Sequence, residues 1–72
     1  MKQINIKELI PFMKDGYVAM EEYEMWFWYD KKPYIEDGTW IFEGGSCASL
    51  GAFNIIPVED WTKSLIKVEN KK

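Results

Sequence analysis

The chain has no histidine and no arginine, a single cysteine, and no apolar run long enough, at about 18 residues, to cross a bilayer. Each absence removes a class of chemistry. Without histidine there is no Ser-His-Asp or Cys-His catalysis, no His-ligated zinc, and no general base of the commonest neutral-pH type. Without arginine, bidentate contacts to phosphate or guanine are lost. Cys47 alone cannot close an intramolecular disulfide or ligate zinc or an iron–sulfur cluster within one chain, and a single thiol suits a reducing compartment. No basic segment followed by an apolar stretch and a small-residue cleavage site opens the sequence. The expectation is a soluble, cytoplasmic protein that contacts neither membrane nor nucleic acid.

What is abundant is aromatic surface. Four Trp, four Tyr and four Phe stand among 72 residues. A chain of this length makes one domain, residues 1–72, and buries only about 60% of the surface its unfolded form exposes. Large rings, each covering about 150–250 Å², are the means by which so small a core can offset the entropy of ordering.

The net charge of −3 conceals a segregation. Residues 1–14 carry +2 and residues 61–72 carry +3, whereas residues 15–60 hold ten acids against Lys31 and Lys32, for −8. An acidic centre repels a phosphate backbone. It also keeps an aromatic-rich surface soluble, or steers a basic protein partner onto it.

Along the chain, Asn5 and Glu8 form a capping-box pair ahead of Ile6, Leu9, Ile10 and Met13 on one helical stripe, which predicts a short helix over about 5–14, irregular at Pro11. "YVAME" and "MWFWYD" read as strands joined through a polar "EYE" turn, and Pro33 ends the second. Asp37-Gly38 between "YIE" and "TWIF" is a hairpin signal. "EGGSCASLGAF" reads as a glycine-rich loop leading to a last strand "FNII", with Cys47 as a packed small residue. "PVEDWTKSLIKV" fits an amphipathic helix or turn, or an extended tail, and "ENKK" reads as frayed. The fold class is α+β: an N-terminal helix on a three- or four-stranded, mainly antiparallel sheet, with a short C-terminal helix or turn.

No motif implies a cofactor. The glycine-rich segment lacks the Lys-Ser/Thr of a P-loop and the spacing of a dinucleotide fingerprint, so Gly44 and Gly45 read as turn formers. Adjacent acids such as Glu21-Glu22, Glu36-Asp37 and Glu59-Asp60 read as solvated charge, because neighbours on a strand point to opposite faces and no alternating calcium loop exists. The expectation is no enzyme and no metal.

The segment Met25–Tyr29 raises the main question, since as a strand it places Trp26 and Trp28 on one face and Met25, Phe27 and Tyr29 on the other. So small a domain has little to cover both. Either the chain folds over the second face, or the indoles form a docking surface for a partner or a second copy. The docking reading makes Trp26, Trp28 and Trp40 aromatic anchors and Glu21, Glu22, Glu24 and Asp30 an acidic rim. A small-ligand reading remains beside it, with nucleotide bases stacked on aromatics and phosphates held by Lys31, Lys32 or the amides near Gly44 and Gly45. A structural homo-oligomer is the third.

The stretches "KDGYVAM", "WFWYDKKP", "TW" and "VEDWTKSLIKV" resemble a family of small phage and prophage proteins of low-GC Gram-positive bacteria. The resemblance implies a phage accessory protein in the bacterial cytoplasm, of the size and charge class of inhibitors of host defence, anti-CRISPR proteins among them; on the docking reading its partner is a host or defence protein. It brings no catalytic residue.

Overall fold

A computed structural model describes residues 3–70. The fold is α+β and mostly sheet. Helix α1 (Ile6–Leu9) starts at the Asn5 cap, whose side chain accepts from Lys7 N at 2.9 Å while Glu8 accepts from Asn5 N at 3.3 Å. Pro11 has no amide to continue the α ladder, and the chain tightens into a 3-10 turn over Ile10–Phe12.

Strands β1 (Gly16–Met20), β2 (Trp26–Tyr29), β5 (Cys47–Ser49) and β6 (Ile66–Val68) form one antiparallel sheet in the order β5-β2-β1-β6. Strands β3 (Tyr34–Glu36) and β4 (Thr39–Ile41) form a separate hairpin inserted between β2 and β5. Its turn is the one the Asp-Gly pair demands: Asp37 and Gly38 have φ of 52° and 75°, the left-handed values of a type I′ turn. The β1–β2 connection is a tighter version of the expected polar turn. Glu24 N donates to Glu21 O and Glu21 N to Met25 O, both at 2.9 Å, with Glu24 held at φ 66°.

Both faces of the sheet are covered by the chain itself. On one, Val18, Met20 and Trp26 pack with Ile6, Leu50, Ile55 and Val68, and Leu9, Ile10, Met13 and Trp28 close the margin. On the other, the β3–β4 hairpin folds back so that Trp40 lies against Ala19 and Tyr29, with Tyr17, Phe27 and Leu65 around them. Trp61, from a 3-10 turn at Trp61–Lys63, meets Trp40 edge-on at 6.3 Å between ring centroids. Ser64 follows that turn, and its buried hydroxyl oxygen accepts from Met20 N at 2.7 Å.

Three expectations are corrected. The glycine-rich segment is not all loop, because Cys47–Ser49 pairs with Tyr29, Trp28 and Phe27 as an edge strand, which leaves Cys47 exposed rather than packed. "FNII" is not a strand: the turn that returns Phe53 N to Leu50 O leaves only an isolated parallel bridge of Ile55 to Ile4. Of "ENKK", Lys71 and Lys72 lie outside the described residues, while Asn70 is fastened. Its backbone N–H donates to Asp15 Oδ1 at 2.9 Å, and its side-chain amide donates to Ile10 O and Met13 O at 2.8 and 2.6 Å.

Candidate functional site

The residues expected to form a docking face are divided between core and surface. Trp26 is 2% exposed and sits inside the helix-side core. Trp40 is 7% exposed, and its indole N–H donates to Met20 O at 3.0 Å. Neither ring is available to a partner, because each face of β2 has its own covering element: the N-terminal helix and residues 50–55 on one side, the inserted hairpin on the other. Trp28 is half-buried. Its Nε1–H donates to Lys14 O at 3.1 Å, and its ring lines a shallow apolar groove of about 290 Å³ with Met13, Ala48 and Leu50.

The acidic rim divides in the same way. Glu21 is buried, and its carboxylate accepts from the Thr39 hydroxyl at 3.0 and 3.1 Å, with Trp40 N at 3.4 Å. Asp30 is exposed but already engaged: its Oδ1 accepts from Ser46 N at 2.8 Å and its own N–H donates to Ser46 O at 3.1 Å, fixing the start of β5. Glu22 and Glu24 stand free at the β1–β2 tip.

The Glu21–Thr39 contact brings together two tips that are distant in sequence. Thr39 is the register partner of Glu36 across the β3–β4 turn, so the tip carrying Glu36 and Asp37 stands beside the tip carrying Glu22, Tyr23 and Glu24. Tyr23 is 67% exposed. The polar reading of "EYE" hides it, although an aromatic set among three acids at a hairpin apex is a signal legible in sequence. Among the described residues the one ion pair is Lys67–Glu69, so no lysine neutralises this acidic pole. The Tyr34 phenol is held above its usual pKa by desolvation and by the Glu43 and Glu36 carboxylates.

Chemically the joined tips offer exposed carboxylates and an exposed tyrosine ring, suited to ammonium and guanidinium groups. No group of three or more Cys, Asp or Glu side chains among the described residues is arranged to hold a metal ion. No described helix is long and apolar enough to cross a membrane. Comparison with protein-family models matches no family, and comparisons with curated proteins and with solved structures return no match.

Proposed function

We propose that the chain is a non-catalytic accessory protein of the phage type, acting in the bacterial cytoplasm by binding a basic host or defence protein and inhibiting it. The observation that carries this reading is the Thr39–Glu21 hydrogen bond, which ties together two hairpin tips bearing Glu22, Glu24, Glu36, Asp37 and the exposed Tyr23, with none of these acids in an ion pair among the described residues. Unpaired like charges held together cost stability in the free protein, and a basic partner relieves that cost while the converging field speeds encounter. The resemblance of the aromatic strands to small phage proteins supports the biological setting. The anchor moves from Trp26 and Trp40, which are sealed, to Tyr23.

The nucleotide-binding reading has less support. The amide at Ser46, beside Gly44 and Gly45, is already occupied by the Asp30 carboxylate, which both fills the position a phosphate would take and repels it.

The test is affinity isolation from host cells with the wild-type chain, a Glu22→Lys/Glu36→Lys/Asp37→Asn variant, in which Asn keeps the left-handed turn position, and a Glu59→Lys/Asp60→Asn control that changes charge elsewhere. The reading expects a stoichiometric basic partner retained by wild type and control, and an association rate reduced at least about tenfold in the pole variant. Equal capture by all three chains would remove it.

A further inference from the structure

The geometry points to the outer edge of β5 as a self-pairing surface, through which two copies of this chain join antiparallel about Ala48.

The ladder decides which backbone groups are free. Asp30 N donates to Ser46 O and Leu50 N donates to Trp26 O, so the even-numbered residues of this segment turn their backbone groups toward β2. Alternation then turns the N–H and C=O of Cys47 and Ser49 outward. Cys47, Ala48 and Ser49 are all exposed. The two edges of the sheet differ in how they are guarded. On β6 the outward residue is Lys67, a charged residue of the kind that blocks edge pairing, whereas β5 carries no charge, proline or bulge.

The occupant is argued from complementarity. A twofold axis at Ala48 sets Cys47 of one copy opposite Ser49 of the other, so that every outward N–H meets an outward C=O. The central Ala48 pair is then of the non-hydrogen-bonded kind, with Cα atoms about 4.5 Å apart, a spacing that small side chains permit. The same axis sets position 45 opposite position 51. The Lys31 side chain lies over Gly45, and Glu24 lines the hollow beside Leu50 and Gly51, so each end of the shared ribbon brings a lysine of one copy to a glutamate of the other. Ala48 and Leu50 also border the apolar groove at Trp28 and Met13, and pairing brings the two grooves together on one face of a continuous sheet. An isologous contact of this kind closes on itself and leaves no edge to propagate.

Sedimentation across a concentration series up to about 1 mM tests it, over the range where weak pairs assemble. The expected mass rises from 8.5 kDa toward twice that. Ser49→Pro removes an outward N–H and the hydroxyl that accepts from Gly51 N, neither of which belongs to the β2–β5 ladder, so it should leave the circular dichroism spectrum unchanged and hold the chain monomeric. A Cys47→Ser/Ala48→Cys variant, oxidised with glutathione disulfide, should give a disulfide-linked dimer, whereas Cys47→Ser/Ser49→Cys should not, because position 49 faces position 47 of the other copy. A monomer throughout the wild-type series overturns the proposal. So does a dimer that Ser49→Pro leaves intact, or equal cross-linking from positions 48 and 49.

Discussion

The Thr39 hydroxyl donates to the carboxylate of Glu21 at 3.0 and 3.1 Å, joining the start of the β1–β2 turn to the first residue of β4. That bond docks the inserted hairpin on the sheet, since the amide of the next residue, Trp40, faces the same carboxylate. Glu21→Ala leaves these groups without their acceptor and should cost about 1–3 kcal/mol. Glu21→Gln, which keeps an acceptor oxygen, should cost less. Urea denaturation of the two variants checks the order.

Trp26 and Trp28 share a strand face but not an environment. Truncating the sealed ring, Trp26→Ala, should cost about 3–5 kcal/mol, a large fraction of the stability of so small a domain. Trp28→Ala loses a half-buried ring and the hydrogen bond to Lys14 O, and should cost about 1–2 kcal/mol while the fold persists. Equal losses in the denaturation midpoint would show that the groove wall is as much core as the interior.

Asp37 occupies the first left-handed position of the type I′ turn, where Asn and Gly are favoured. Asp37→Ala should destabilise by about 1–2 kcal/mol, the cost of left-handed backbone for a residue with no local hydrogen-bonding group. Asp37→Asn should stabilise by a few tenths, since it keeps the turn chemistry and removes a charge from the crowded pole. Thermal melts of the two variants should shift in opposite directions.

Gly16 stands where β1 passes under the Trp28 ring. A Cβ there would run into Tyr29 O, which the β1–β2 ladder fixes, and lie 2.9 Å from two atoms of the Trp28 ring, which its bond to Lys14 O holds in place. Gly16→Ala should therefore destabilise by about 2 kcal/mol or more, against the usual gain of removing a glycine. The chemical shift of the Trp28 indole N–H, bonded to Lys14 O, should move with it.

Tyr29 makes stability depend on alkaline pH. Burial, reinforced by Glu21, raises its phenol pKa well above the ordinary value of 10.0. The folded state therefore holds the proton more tightly than the unfolded state. The contribution is complete below about pH 10 and is lost as pH climbs from the unfolded value toward the folded one. Tyr29→Phe should flatten the stability profile above pH 10, and the phenolate absorbance of the wild type should show one tyrosine titrating together with unfolding.

The local signals in the chain translated directly into structure. The Asn5–Glu8 cap, the break at Pro11, the Asp37-Gly38 turn and the alternation along Trp26–Tyr29 each depend on residues within a few positions of one another, so their physics is contained in the sequence. The glycine-rich segment was different. Cys47–Ser49 has little strand preference of its own, and becomes a strand because Asp30 seizes the Ser46 amide and β2 offers an unfilled edge.

The candidate site was legible in the same uneven way. That the centre of the chain is acidic and aromatic followed from composition, and Glu22 and Glu24 followed from their place in a polar turn. Which rings are buried did not, because alternation assigns a side chain to a face without saying what lies over that face. The decision belonged to a hairpin inserted between β2 and β5, which carries Trp40 back over Tyr29 and sets Glu36 and Asp37 beside Glu22 and Glu24. Sequence by itself determined strands β1 to β4, their turns and the sign of the charge. Only the tertiary structure decided which aromatic rings meet solvent and which acids meet each other, because those outcomes depend on contacts between segments that no local periodicity encodes.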